Sequence, residues 1–343
     1  MKKIKILVDA DIPFLRGALE PYADVTYAAG RDIRTATLRN ADALLIRTRT
    51  RCDAALLSGS SVRFIATATI GVDHIDLEYC RQQGIAVYSA AGCNAAAVAQ
   101  YVVCIWAAMA YKTGINVRDC VLGVVGVGHV GRRVAAAAQA LGMTTLLNDP
   151  PREALETATA FVSLDELLTR ADIVTMHVPL TPATRGMANA TFFKKMKTGA
   201  AFINTSRGEV VDEEALLGYC ACLRFLALDV WQREPAINRS LLKVVDIATP
   251  HIAGYSIQGK SNATTMTVRA LAGFFGINAL QSFTAATTAK EISLRAADIA
   301  DDLYAYIFPI YPVLDDSARL HAHPQRFEQL RNSYTLRNEF QIL

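Results

Sequence analysis

Short apolar runs alternate with amphipathic stretches along almost the whole chain. Ile4–Val8, Ala43–Ile46, Phe64–Thr67 and Ala86–Ser89 are brief and mostly apolar, as expected of strands buried on both faces. Between them, Ile12–Leu19 and Ile75–Gln83 carry apolar residues at helical spacing. Together these predict a small α/β unit complete by about residue 92. A continuous apolar stretch from Asn94 to about Tyr111 predicts a buried helix that leads into a second unit. The strands expected there are Val121–Val125, Thr144–Leu147, Ile173–His177, Ala201–Asn204, Phe225–Leu228 and Asp246–Ala248. Ser163 with Glu166 forms a capping box for a helix ending near Thr169, and Asp212 caps a helix over Glu213–Tyr219. After Pro250 a helical pattern from Lys260 to about Phe275 is expected to return to the first unit, making that unit discontinuous. Strand and helix in alternation predict the α/β class, with two doubly wound parallel sheets and a cleft between them.

One turn in this pattern carries chemistry. The strand Val121–Val125 runs into Gly126-Val127-Gly128-His129-Val130-Gly131, and an Ala- and Val-rich helix follows to Leu141. Gly126 permits the tight turn, Gly128 lets backbone approach a pyrophosphate, and Gly131 lets helix pack on strand. The phosphates would lie at a helix N-terminus, where free N–H groups favour negative charge. Asp149, 18 residues after Gly131, falls at the end of the next strand. Its carboxylate can accept the ribose hydroxyls and would repel a 2′-phosphate, so the expected cofactor is NAD in a Rossmann-like unit.

Three further strand ends carry polar groups. Asn204-Thr205-Ser206-Arg207-Gly208 follows one strand, Asp229 and Glu234-Pro235 follow another, and Pro250-His251-Ile252-Ala253-Gly254-Tyr255 follows a third. Ligands of open α/β sheets bind at the carboxyl ends of strands. An Arg that forks onto a carboxylate, a His of tunable pKa and a carboxylate beside it suffice for hydride transfer from a hydroxyl carbon. His74, His129 and His177 read as structural or cofactor-loop residues.

On these motifs the chain resembles the D-isomer-specific 2-hydroxyacid dehydrogenases over residues 1–280. The resemblance implies Arg207, Glu234 and His251 as the catalytic set. It also implies that Asp229 contacts the nicotinamide amide, and that Thr205, Ser206 and Gly254 line the cofactor together with Val178 and Pro179. Further matches, Ile46-Arg47-Thr48, Thr67 to His74, Gly92-Cys93-Asn94-Ala95 and His251 to Lys260, resemble members that act on a phosphorylated 2-hydroxy acid. They imply substrate contacts from Thr48, Thr69 and Tyr255. Arg47 is the candidate cation for the phosphate; Arg47, Arg49 and Arg51 should alternate along a strand edge, with Arg49 facing away from Thr48. The tail from Phe327 to Phe340 is similar to the C-terminal dimerisation segment of such members. Gln100 stands where the family usually has Glu, Val178 where a Thr often precedes Pro179, and the tail is shortened.

The expected division is therefore a substrate-binding, flavodoxin-like domain (1–93 and 255–280), an NAD-binding domain (94–254) and a dimerisation segment (281–343). Residues beyond 281 are too few and too polar for a core of their own, so Leu303, Tyr304, Tyr306, Ile307, Phe308, Tyr311 and Phe340 are expected to bury against a second subunit. The implied activity is NAD-dependent oxidation at C2 of a small phosphorylated 2-hydroxy acid. Two alternatives stay open: another dehydrogenase of the family, such as one acting on 3-phosphoglycerate, and an NAD(H)-sensing corepressor-type protein.

Bulk properties narrow the class. The 343 residues are 52% hydrophobic and 20% charged, with a net charge of only +3 and no long basic run, so no nucleic-acid partner is expected. Seven cysteines without paired spacing suit a reducing cytoplasm, and Cys220-Ala-Cys222 is a lone pair without partners for a metal. Met1–Asp9 reads as a first strand and lacks the apolar core of a signal sequence. Ala95–Ala110, the most apolar stretch, contains Gln100 and is too short to span a bilayer, so no membrane partner is expected.

Overall fold

The computed structural model describes residues 3–156, 160–299 and 302–342. It divides into two compact units, residues 1–94 with 256–290 and residues 95–255 with 291–343.

The first unit holds five strands: β1 (Ile4–Asp9), β2 (Ala23–Ala28), β3 (Ala43–Ile46), β4 (Phe64–Thr67) and β5 (Ala86–Ser89). All pair in parallel in the order β2-β1-β3-β4-β5, which is flavodoxin-like. β3 and β4 are buried along their whole length, because helices or loops cover both faces. β2 was not expected from the sequence. It is an edge strand with mixed, half-exposed residues, so it lacks the apolar run that marks its neighbours. The helix expected over Ile12–Leu19 is absent. Ile12, Leu15 and Leu19 do enter the core, but from irregular turns in which Phe14 and Gly17 take φ of +59° and +86°. Those left-handed residues break a right-handed helix. The helix Ile257–Phe275, capped by the Ser256 hydroxyl on the Gly259 N–H, belongs to this unit and buries Ala263, Val268, Leu271 and Ala272 in its core.

The second unit holds β6 (Val121–Val125), β7 (Thr144–Asn148), β8 (Ile173–Met176), β9 (Ala201–Asn204), β10 (Phe225–Leu228) and β11 (Ile247–Ala248). Their order is β11-β10-β9-β8-β6-β7, all parallel. Phe161 adds a single parallel bridge outside β7. The chain reverses its direction of growth between β6 and β8, the place where an open α/β sheet binds its ligand. The Ser163 hydroxyl caps the helix Leu164–Arg170, and Asp212 caps Glu213–Tyr219.

The helix Ala95–Thr113 is 19 residues long, longer than its sequence suggested, and among the described residues it is the one helix long and apolar enough to cross a membrane. Tyr101, Ile105 and Trp106 on it are completely buried in the core of the second unit. Burial of this kind stabilises by roughly 1.5–3 kcal/mol for each large apolar side chain.

The tail departs most from expectation. Residues 281–290 stay with the first unit, where Ala285 bonds Ser261 and Thr265, while residues from 291 onward join the second unit of the same chain. β12 (Ile292–Leu294) pairs in parallel with β13 (Phe340–Ile342). Leu303, Ile307, Tyr311 and Phe340, expected to bury against a second subunit, lie in the core formed with the helix Ala95–Thr113. Leu320 and Phe327 enter the core on the other side of the β6–β11 sheet. Tyr304 stacks on Tyr111 at 4.1 Å, and Phe308 is half-buried. Only Tyr306 of the expected anchors is exposed. A segment without a core of its own takes the nearest apolar surface, and here that surface is its own chain.

Candidate active site

The glycine turn leaves β6 at its carboxyl end. Gly126 has φ +88°, and a side-chain carbon there would lie 2.8 Å from the His177 carbonyl and 2.9 Å from Val178 Cγ1. At Gly131 such a carbon would lie 2.0 Å from the Gly126 carbonyl oxygen, so no other residue fits. Gly128 faces open space, with no protein atom within 4 Å of the same position. These are the three roles a pyrophosphate-binding turn requires. The turn ends in the helix Gly131–Ala140. Asp149, just past β7, accepts the Val127 N–H at 2.8 Å through Oδ2 and the Arg152 N–H at 3.2 Å through Oδ1. The carboxylate thus lies beside the turn, as contact with the adenosine ribose would need. His129 and Val130 complete the turn, and Pro179, exposed, follows Val178 after β8.

Beyond β9, Asn204 ties the next loop together. Its buried Oδ1 accepts the N–H and hydroxyl of Ser206 at 3.0 and 2.7 Å, and its Nδ2 donates to the Arg207 carbonyl at 3.0 Å. Thr205 Oγ1 lies 3.3 Å from His177 Nδ1, while Thr175 Oγ1 meets His177 Nε2 at 3.0 Å. Desolvation deep among protein atoms pushes the His177 pKa down to about 3, so this ring stays neutral. The Arg207 guanidinium is half-buried and donates to the Ser206 carbonyl at 2.8 Å. Gly208 is required next to it, since an added carbon would lie 2.0 Å from the Trp231 carbonyl carbon.

Glu234 and His251 meet across two loops that sequence separates by 17 residues. Nδ1 of His251 donates to Glu234 Oε2 at 2.8 Å, and Glu234 Oε1 accepts the Trp231 N–H at 3.0 Å. Burial alone would raise the Glu234 pKa, but His251, the Trp231 N–H and Arg331 outweigh it and hold the carboxyl below its usual value. With Nδ1 carrying the proton toward Glu234, Nε2 is left as the acceptor. His251 has φ +58°, a left-handed conformation that a non-glycine residue holds only when its surroundings impose it.

Asp229 imposes it. This carboxylate is only 1% exposed. Oδ1 accepts the Thr249 hydroxyl and the Ile252 N–H, both at 2.7 Å, and Oδ2 accepts the Ala253 N–H at 3.0 Å. The His251 N–H in turn donates to the Asp229 carbonyl at 2.8 Å. Asp229, expected at the nicotinamide amide, is in this structure the residue that shapes the histidine loop. The Tyr101 hydroxyl, 2.6 Å from Thr249 Oγ1, extends the network into the long helix.

The same loop is gripped from the tail. Arg337 Nη1 donates to the carbonyls of Ile252 and Tyr255 at 3.0 and 3.1 Å, Nη2 donates to Ala97 at 3.1 Å and to the Ala253 carbonyl, and the guanidinium lies 4.6 Å above the Tyr311 ring. Arg331 Nε donates to the Tyr255 hydroxyl at 3.2 Å. Gly254 lies half-buried between these grips. Sequence reasoning gave neither arginine a role in its own chain's site. Both lie some 80 residues from the loop they hold, with no motif linking the two.

In the first unit, Thr48, Thr69 and Arg47 follow the carboxyl ends of β3 and β4. Thr69 Oγ1 bonds Thr67 Oγ1 at 2.6 Å, and Thr48 is exposed. The expected alternation of Arg47, Arg49 and Arg51 along a strand does not occur, because β3 ends at Ile46 and residues 47–50 turn. Arg47 and Arg49 instead converge on Asp11, Arg47 on its carbonyl at 3.1 Å and Arg49 on its carboxylate at 3.4 Å. Among the described residues no group of three His, Cys, Asp or Glu side chains could hold a metal.

Two parallel doubly wound sheets, a pyrophosphate-type turn and a histidine–glutamate pair define an NAD-dependent dehydrogenase of the 2-hydroxyacid type. Residues 94–253 match the D-isomer specific 2-hydroxyacid dehydrogenase NAD binding domain. Erythronate-4-phosphate dehydrogenase of Bacteroides fragilis strain YCH46 is 46% identical over 98% of this chain and 97% of that protein. The enzyme of the same name from Escherichia coli strain ATCC 8739 is 40% identical over 99% and 93%. The chain belongs to the erythronate-4-phosphate dehydrogenase family. Among solved structures, 3-phosphoglycerate dehydrogenase of Entamoeba histolytica with bound NAD+ superimposes with a TM-score of 0.70 at 26% identity, covering 83% of this chain and 99% of that one. D-lactate dehydrogenase of Aquifex aeolicus, with NAD and lactic acid, gives 0.66 at 26% identity over 81% and 97%.

Proposed function

We propose that this enzyme oxidises 4-phospho-D-erythronate at C2 to 2-oxo-3-hydroxy-4-phosphobutanoate with NAD, a step of pyridoxal phosphate biosynthesis. The observation that carries the chemistry is the His251–Glu234 pair at 2.8 Å, with Nε2 of the imidazole left as the acceptor. The relatives of that name, matched over nearly the whole chain, support the substrate. NAD, when bound, would supply the acceptor for the hydride that leaves C2. Gly126–Gly131 and Asp149 fit it, because Gly128 opens where the diphosphate must approach and the Asp149 carboxylate stands beside the turn. Val178, Pro179, Thr205, Ser206 and Gly254 belong to the same proposed cofactor surface.

His251 takes the C2 hydroxyl proton at Nε2. Glu234 fixes the tautomer and stabilises the imidazolium as it forms. Arg207 holds the substrate carboxylate through its planar fork. Asp229 maintains the loop geometry, and its proposed contact with the nicotinamide amide comes in addition to that. Thr48, Thr69, Tyr255 and Arg47 are the proposed contacts for the sugar acid and its phosphate.

The test is a panel of 2-hydroxy acids followed by NADH absorbance. 4-Phospho-D-erythronate should give the highest kcat/KM, ahead of 3-phosphoglycerate and of unphosphorylated erythronate. A higher value for 3-phosphoglycerate would overturn the substrate assignment. The proposed assembly is a homodimer, supported by the exposed aromatic rings of Tyr111 and Tyr306. The proposed location is the cytoplasm, supported by seven free cysteines.

A further inference from the structure

Arg331 has no task in the proposed reaction, yet its guanidinium reaches the carboxylate that pairs with the base. Its Nη1 lies 3.8 Å from Glu234 Oε2, the same oxygen that accepts the His251 Nδ1 proton. Its Nε donates to the Tyr255 hydroxyl at 3.2 Å. The side chain is only 22% exposed, so solvent screens the contact weakly. We propose that Arg331 is a positioning residue of its own chain's active site, sharing the Glu234 carboxylate with His251 and holding the Tyr255 hydroxyl. The C-terminal tail then tunes the catalytic base in cis.

The physical consequence has a definite sign. Glu234 stabilises the imidazolium of His251. A guanidinium on the same carboxylate oxygen offsets part of that negative charge and repels the imidazolium directly. The Arg331 charge therefore opposes the Glu234 charge at the oxygen that faces the imidazole. The surrounding charges do not duplicate it. Asp229 lies under the loop with its oxygens on Thr249, Ile252 and Ala253, and burial raises its pKa. Arg337 is spent on loop and helix carbonyls, with its Nη atoms on Ile252, Tyr255, Ala253 and Ala97. Glu213 accepts the Gln232 N–H at 2.7 Å, with Arg233 beside it, and Glu328 acts on Arg331 itself. Arg207, in the loop after β9, donates to the Ser206 carbonyl at 2.8 Å. Tyr255 also packs edge-to-face on Tyr334 at 6.1 Å, so Arg331 fixes a hydroxyl whose ring is already held.

This inference rests on the proposed base role of His251, and two readouts separate the two. The first is an NMR titration of the His251 imidazole in the free protein, which needs no turnover. Arg331→Met and Arg331→Gln should raise the His251 midpoint by roughly half to one pH unit, whereas Arg331→Lys, which keeps the charge, should leave it within about 0.2. The second is the pH profile of kcat/KM for 4-phospho-D-erythronate. Its acid limb should move up by the same amount in the Met and Gln variants. Arg331→Lys should instead raise KM several-fold, because one ammonium cannot face Glu234 and also keep the Nε bond to the Tyr255 hydroxyl. A His251 midpoint unchanged in a Met or Gln variant that still binds NAD would overturn the proposal. So would an equal shift in the Lys variant. A shifted NMR midpoint with an unmoved activity profile would uphold the contact and instead remove His251 as the base.

Discussion

Asp229 and His251 are joined twice over: the carbonyl of Asp229 accepts the His251 N–H at 2.8 Å, and its carboxylate accepts the two N–H groups that follow. A buried carboxyl group, whose pKa desolvation raises, thus holds the left-handed backbone from which the imidazole reaches Glu234. Asp229→Asn keeps the size but leaves an amide able to accept on one atom only, so an N–H now faces an N–H. We expect a loss of about 1–3 kcal/mol of stability, from one unsatisfied buried group, and a fall in kcat larger than the rise in KM. Thermal unfolding and steady-state kinetics check both; an Asn variant with wild-type Tm and kcat would show that the loop holds itself.

His251→Ala should lower kcat by about 10²–10⁴ with NAD binding retained, the usual size of a general-base contribution. Glu234→Gln removes the anion that stabilises the imidazolium, so the acid limb of the pH profile should move down, opposite to the Arg331 variants. Glu234 also carries a pH-dependent stability contribution. Its folded-state pKa is depressed, so the contribution is present above the ordinary Glu value and is lost as pH falls through the lower, folded value. Acid titration of Tm should therefore flatten in Glu234→Gln, below about pH 4.5.

Asp149→Ala should narrow the preference for NAD over NADP by removing charge repulsion from a 2′-phosphate. The carboxylate also anchors the Val127 N–H, so the KM for NAD itself should rise. Kinetics with both cofactors measure the two effects separately. An unchanged ratio of kcat/KM values would show that the carboxylate does not face the ribose.

Arg207→Lys keeps the charge and loses the planar fork, and both kcat and KM should suffer. An unchanged kcat/KM would remove Arg207 from the substrate.

Removal of residues 291–343 should unfold the second unit, because it strips Leu303, Ile307, Tyr311, Leu320, Phe327 and Phe340 from its cores. A milder variant, Arg337→Lys, cannot span four carbonyls with one ammonium and should cost roughly 3 kcal/mol, several charged hydrogen bonds being lost at once. Calorimetry tests the second and soluble yield the first. A truncated chain that stays folded and merely becomes monomeric would restore the tail to a purely intersubunit role.

Much was legible in the chain itself. The interior strands showed because parallel strands buried on both faces need continuous apolar runs, and the boundaries of β3, β4, β6, β9 and β10 coincide with those runs. The glycine turn showed because each of its three glycines answers a separate steric demand. Local spacing therefore determined the α/β class, the cofactor turn and the polar strand ends. The tertiary structure decided what depends on residues meeting from far along the chain. Ile12, Leu15 and Leu19 had helical spacing, but burial of three side chains does not require the backbone between them to be a helix. The tail's apolar residues announced that they must be covered, and only packing could say by what. Arg331 and Arg337 carry no local signal at all, because an arginine's role here comes from carbonyls and a carboxylate about 80 to 240 residues away in sequence. Sequence specifies which groups must find partners; the fold decides which partners lie within hydrogen-bonding distance.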